Sequence, residues 1–143
     1  MGIKRKAGAD AGTETIAAKK ASGVSERYLA DLRYRLGAFK EAFNCDVNTL
    51  APDDVGTFFD RMKLSPRSYN NFVNALRTFF SFAKNYGWLS KEAALLSRVQ
   101  KRKEKSEPVE IFSPSELAAL LECAPPDVFP FLAFAAFAGL RAE

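Results

Sequence analysis

SPRSYNNFVNALRTFFSFAKNYG, residues 65–87, is the stretch whose reading decides the fold. Tyr69, Phe72, Val73, Leu76, Phe79, Phe80 and Ala83 recur at spacings of three and four, which places them on one face of a helix over four turns. Ser65 supplies an N-cap, Pro66 suits the first helical position and Gly87 suits the stop. At 100° per residue, Arg67, Asn71, Asn74, Thr78, Ser81 and Asn85 fall on the opposite face, and none of them is acidic. The gap is wider than the helix. Residues 61–91 contain no Asp or Glu but hold Arg61, Lys63, Arg67, Arg77, Lys84 and Lys91.

The flanks read as further helices. Toward the N-terminus, Tyr28, Leu32, Leu36, Phe39 and Phe43 share a face behind an N-cap at Ser25. Pro52-Asp53-Asp54 starts a shorter helix with Val55, Phe58, Phe59 and Met62 inward, the two acids opposing the positive helix end. Beyond Gly87, Ser90 is expected to cap a fourth helix with Ala93, Leu96 and Val99 inward. Residues 25–100 thus form an orthogonal or bundle-like α-domain, because each helix has one apolar stripe to hide.

Residues 1–24 have Ile3 and Ile16 as their large apolar side chains up to Gly23, too few to offset the entropy of ordering, and are expected to be a flexible basic arm. Residues 101–110 are polar, rich in Lys and end near Pro108, as an exposed linker would. A second unit, 111–143, follows a short extended run at Val109–Phe112. Ser113-Pro114-Ser115-Glu116 is a capping-box start for a helix carrying Leu117, Leu120 and Leu121. Pro125-Pro126 ends that helix, and Val128–Ala138 is apolar on every side apart from Pro130.

Composition narrows the chemistry. The 143 residues carry 21 Lys and Arg against 17 Asp and Glu, a net charge of +4, with 13 Phe and no His. Without an imidazole there is no Ser-His-Asp or Cys-His catalysis and no Cys/His zinc site. Cys45 and Cys123 stand 78 positions apart, giving neither a disulfide framework nor a CxxC motif, as expected of reduced thiols in the cytoplasm. The longest apolar run is too short to span a bilayer, and no secretory signal follows Lys4-Arg5-Lys6. Neither a Gly-rich phosphate loop nor metal-ligand spacing occurs, so no cofactor or metal is expected.

A side free of carboxylates, with Arg and Lys among short Asn, Ser and Thr, suits a phosphate backbone and the base edges beside it. An ordinary solvated face that lacks acids has the same composition, and from the residues alone both readings stand. Arg27, Arg33, Arg35 and Lys40 of the first helix are open in the same way: phosphate contacts, or a solvated face partnered by Asp31 and Glu41. Asp53-Asp54 are explained by their place at a helix start.

At Phe137-Ala138-Gly139-Leu140-Arg141-Ala142-Glu143 the sequence resembles the tyrosine recombinase (phage integrase) family, in which an apolar helix ends in Thr/Ala-Gly-Leu-Arg-x-x-Glu. The layout from 25 to 143 is similar too: a Tyr/Leu first helix, a Thr-Leu-Ala-Pro-Asp start at Thr49 to Asp53, the Ser65 to Gly87 helix, and Ile111 to Leu121 like the opening of the catalytic domain. Lys91-Glu92 departs from the Asn-Pro usual after the long helix.

The resemblance implies an all-α fold: a four-helix, SAM-like core-binding domain that clamps duplex DNA, a linker, and the first two helices of a truncated catalytic domain. It makes Arg141 the first catalytic arginine, and with it the acid-free face of the long helix is expected to place Arg67, Asn71, Asn74 and Thr78 on the duplex, flanked by Arg33, Arg77 and Lys84 on phosphates. The partners it implies are duplex DNA and other recombinase protomers, with no membrane and no small-molecule substrate. The nucleophilic Tyr, the His/Lys positions and the second Arg lie downstream of the matched stretch. This chain alone is therefore expected to bind DNA without cutting or rejoining it. A rival expectation is a helical protein-interaction module that uses the apolar segment 128–140.

Overall fold

The computed structural model describes residues 3–105 and 111–138. The chain divides into two compact units, Met1–Glu104 and Lys105–Glu143. Six helices and no strand are present among the described residues, so the protein is all-α. No helix among them is long and apolar enough to cross a membrane.

In the first unit the helices are α1 (Gly8–Ala21), α2 (Glu26–Ala42), α3 (Pro52–Asp60) and α4 (Pro66–Asn85), with one 3₁₀ turn at Val47–Thr49. Helix α4 forms as its pattern requires. Ser65 Oγ accepts from the Ser68 N–H at 3.3 Å, and Tyr69, Phe72, Val73, Leu76, Phe79, Phe80 and Ala83 are all buried. Its end is a Schellman motif, with Trp88 N–H donating to Ala83 O at 2.9 Å and Gly87 N–H to Lys84 O at 3.2 Å. Gly87 sits at φ +74°, where a Cβ would be strained. Against this helix Phe39, Phe58, Phe59 and Phe72 meet edge to face, the favoured geometry for rings in a core.

Two helices differ from the sequence expectation. Gly8–Ala21, expected within a flexible arm, form a docked helix: α1 packs on α2 and α4, and Ala11 and Thr15 are fully buried. It docks through small residues, which a search for large apolar side chains misses. Ahead of it, Lys4 N–H donates to Gly87 O, Val47 N–H to Lys6 O and Gly8 N–H to Cys45 O, all at 2.9–3.0 Å. A Cβ on Gly8 would stand 3.3 Å from Cys45 O, tighter than ordinary contact. Lys6 completes the join, pairing with Glu14 at 2.5 Å and lying 5.5 Å from the Trp88 ring centre. The Glu14 contact also raises the Lys6 pKa.

The expected helix after Ser90 is instead a run of turns. Ala93 N–H bonds to Ser90 O, Ser97 N–H to Ala94 O and Val99 N–H to Leu96 O, three residues back each time. Ser90 spends its hydroxyl on the Glu92 carboxylate and accepts the Glu92 N–H, a local alternative to a helical start. Leu95 and Val99 are buried, whereas Ala93 and Leu96 are only half-buried. The unit therefore holds four helices, but α1 supplies the one that 90–100 does not.

Side-chain directions also shift in places. In α2 the buried set is Leu29, Leu32, Leu36 and Phe39, while Tyr28, expected inward, is 39% exposed. Asp54 accepts the Ala51 N–H at 3.1 Å and Asp53 pairs with Arg98 at 2.7 Å, so these two carboxylates serve the helix start and a surface ion pair. The start of the expected linker is held rather than free, since Arg102 and Glu104 bond to Asn70 of α4.

The second unit contains α5 (Pro114–Cys123) and α6 (Phe129–Ala138), which contact each other. The Ser113/Glu116 capping box is present: Glu116 N–H donates to Ser113 Oγ at 3.3 Å and Ser113 N–H to Glu116 Oε2 at 2.8 Å. The Ser113 N–H and the Ser113 hydroxyl both donate to the Glu116 carboxylate and lower its pKa. Phe112 and Ile111 are exposed and lie in no strand, and the remainder of the expected 109–112 run falls outside the described residues.

Candidate nucleic-acid interface

Because its inner face is filled by aromatic and aliphatic side chains, α4 has one direction left in which to present polar groups. Arg67, Asn71, Asn74, Ser81 and Asn85 are exposed there and Thr78 is half-buried. From Arg67 to Asn85 the ridge runs about 27 Å, at 1.5 Å per residue. The carboxylates nearest in sequence, Asp60 and Glu92, lie beyond its two ends.

A groove flanks each side of the ridge. One, of about 220 Å³, separates α4 from α2 and is lined by Tyr28, Asp31 and Arg35 on one wall and Asn71, Asn74 and Thr78 on the other, with buried Leu32 and Ala75 between them. The other, of about 280 Å³, is lined by Arg77, Phe80, Ser81 and Lys84 of α4 and by residues 93–97. The structure thus gathers Asn71, Asn74 and Thr78 around one groove and Arg77 with Lys84 around the next. Arg67 stands one turn before Asn71 on the exposed face. Arg33 lines neither groove, and its guanidinium lies 4.0 Å from Glu26 Oε2.

One acid does face the ridge from outside α4. Asp31 lines the first groove, but Arg35 Nη1 sits 3.3 Å from its carboxylate and also donates to Asp31 O at 3.1 Å. The pair is local, i to i+4 on α2, and cancels the charge where it would repel an anion. By contrast, Arg67, Arg77 and Lys84 have no ion-pair partner among the described residues. The charges of Arg67 and Arg77 are therefore available to an outside polyanion, while Lys84 also acts on the Glu92 carboxylate, whose pKa the Ser90 hydroxyl and Lys84 both help to lower.

Spacing within a helix does not show where Tyr28, the Asp31/Arg35 pair and Asn70 lie in the site. Tyr28 was assigned to the core by periodicity, and the Asp31/Arg35 pair, though visible as an i, i+4 spacing, gave no sign that it faces α4. Asn70 carries no distinguishing signal in the sequence; it is buried and binds the chain at 102–104. Arg141 lies outside the described residues. Among the described residues no group of three or more Cys, Asp, Glu or His side chains gathers as a metal site would. Cys45 and Cys123 are both free thiols at the surface.

No protein-family model, no curated protein and no solved structure matches this chain.

Proposed function

We propose that this chain is the DNA-binding N-terminal portion of a site-specific tyrosine recombinase, a SAM-like core-binding domain acting on duplex DNA in the cytoplasm. The observation that carries the proposal is the ridge of α4, a row of exposed Arg67, Asn71 and Asn74 and half-buried Thr78 without a carboxylate, with Arg77 and Lys84 alongside. A helix is narrow enough to enter a major groove about 12 Å wide, where Asn reads adenine edges and Arg meets guanine or phosphate. The grooves on either side leave room for the strands that border it. The recombinase assignment itself rests on the sequence resemblance, with Arg141 in the role of a phosphate-holding arginine.

Fluorescence anisotropy with a labelled duplex tests the reading. Affinity should fall steeply between about 50 and 200 mM salt. Arg67→Ala combined with Asn71→Ala should weaken binding at least tenfold. A flat salt response, or unchanged affinity in the double variant, removes α4 from the interface. Covalent protein–DNA adducts formed by the chain alone would refute its assignment as catalytically inactive.

A second reading has its own observation. Phe129, Phe131, Phe134 and Phe137 of α6 are all exposed, with Phe137 at 77%. An apolar row of this kind suits a protein contact. Concentration-dependent self-association without DNA affinity at low salt would favour it over the first.

A further inference from the structure

Among the described residues, Thr15 and Asn70 are the buried polar side chains, and they solve the problem differently. Thr15 bonds within its own helix, to Ala11 O at 2.8 Å. Asn70 reaches across the chain instead. Its Nδ2 donates to Arg102 O and to Glu104 Oε1, and its Oδ1 accepts the Arg102 N–H, all at 2.8 Å. A side-chain amide presents a donor and an acceptor side by side, as a peptide does, so it grips both main-chain groups of Arg102 at once. The Arg102 guanidinium lies 3.8 Å over the Tyr69 ring and donates to Leu64 O at 3.1 Å.

Residues 102–104 are therefore fixed to the turn before α4 and to its first turn, which carry Arg61, Lys63 and Arg67. Lys101 and Lys103, on either side of Arg102, are exposed. Among the described residues, the acids nearest in sequence to this end are Asp60, which closes α3, and Glu104, whose carboxylate is bound by Asn70.

We propose that Asn70 is a positioning residue that holds Arg102–Glu104 against the start of α4, so that Lys101 and Lys103 join Arg61, Lys63 and Arg67 in a second contact for a DNA phosphate backbone. This rests on the duplex-binding reading above. Asn70 itself touches no DNA. Its role is to prevent a lysine-rich segment from sampling other directions, so that the entropy of ordering it is spent on folding rather than on binding.

The test uses the full chain and a duplex of arbitrary sequence. Each lysine that neutralises a phosphate contributes about 0.9 to the slope of log affinity against log salt, so Lys101→Ala with Lys103→Ala should flatten it by about 2. Asn70→Asp, which removes the donor facing Arg102 O and sets a carboxylate beside Glu104, should flatten the slope similarly. It should also speed tryptic cleavage after Lys101, Arg102 or Lys103 at least tenfold. If Asn70→Asp unfolds the unit, Asn70→Ala removes all three bonds without adding a charge and gives the same readouts. A wild-type slope in the double lysine variant overturns the second contact and leaves the α4 ridge standing. Loss of slope in the lysine variant but not in the Asn70 variants overturns the positioning role. No salt-dependent binding by the wild-type chain overturns both this proposal and the duplex-binding reading.

Discussion

Replacing Ala11 by Asp is the sharpest test of whether α1 belongs to the first unit. Ala11 has no exposed surface, whereas Ala17, on the same helix, is exposed. Asp at either position adds one negative charge to α1, and the helix dipole favours it at Ala11, nearer the N-terminus. Burial should outweigh that preference. An unpaired carboxylate in a packed interior costs about 3–5 kcal/mol, before any cost of the extra volume. A unit of about 100 residues is stable by about 5–15 kcal/mol, so this is a large share. With a urea dependence of about 1.5 kcal/mol per M, the midpoint should fall by about 2–3 M, while Ala17→Asp should shift it by about 0.3 M or less. Trp88 is the sole tryptophan, is buried, and lies 5.5 Å from Lys6 just ahead of α1, so its fluorescence reports the transition. Equal midpoints for the two variants would mean that α1 does not pack and that residues 1–24 are an arm after all.

Further perturbations follow from single contacts. Arg35→Ala should lower duplex affinity roughly tenfold at low salt by unmasking Asp31 in the groove, and adding Asp31→Asn should restore it; a loss that persists in the double variant would place Arg35 itself on DNA. Gly87→Ala should cost about 1–2 kcal/mol because the position holds φ +74°, a drop in Tm of about 4–16 °C measured by Trp88 fluorescence. Ser113→Ala should cost α5 about 1 kcal/mol, read as reduced helicity of a peptide spanning 111–138. Bonds from Ser113 hold the Glu116 pKa below its ordinary value. The stabilisation is therefore complete above the unfolded carboxyl pKa and is lost as pH falls through the lower, folded one. Circular dichroism across acid pH should show that loss in the wild type and not in Glu116→Gln.

The sequence by itself determined α4, from its Ser65 cap to the Gly87 stop, because a strong 3.6-residue alternation leaves one face for the core whatever the rest of the chain does. It determined the Ser113/Glu116 box for the same local reason: both partners lie within one turn. The acid-free composition of the ridge was equally legible. Tertiary structure decided what depended on distant partners. Ala11 and Thr15 carry no strong apolar signal, so only the surfaces of α2 and α4 make residues 8–21 a docked helix. Ser90 and Glu92 satisfied each other and turned an expected helix into bends, with Leu95 inward. Asn70 looked like its neighbour Asn71, yet one faces solvent and the other grips a peptide more than 30 positions away. A residue's spacing within its own helix sets its direction; which groups wait there is set by how the helices pack.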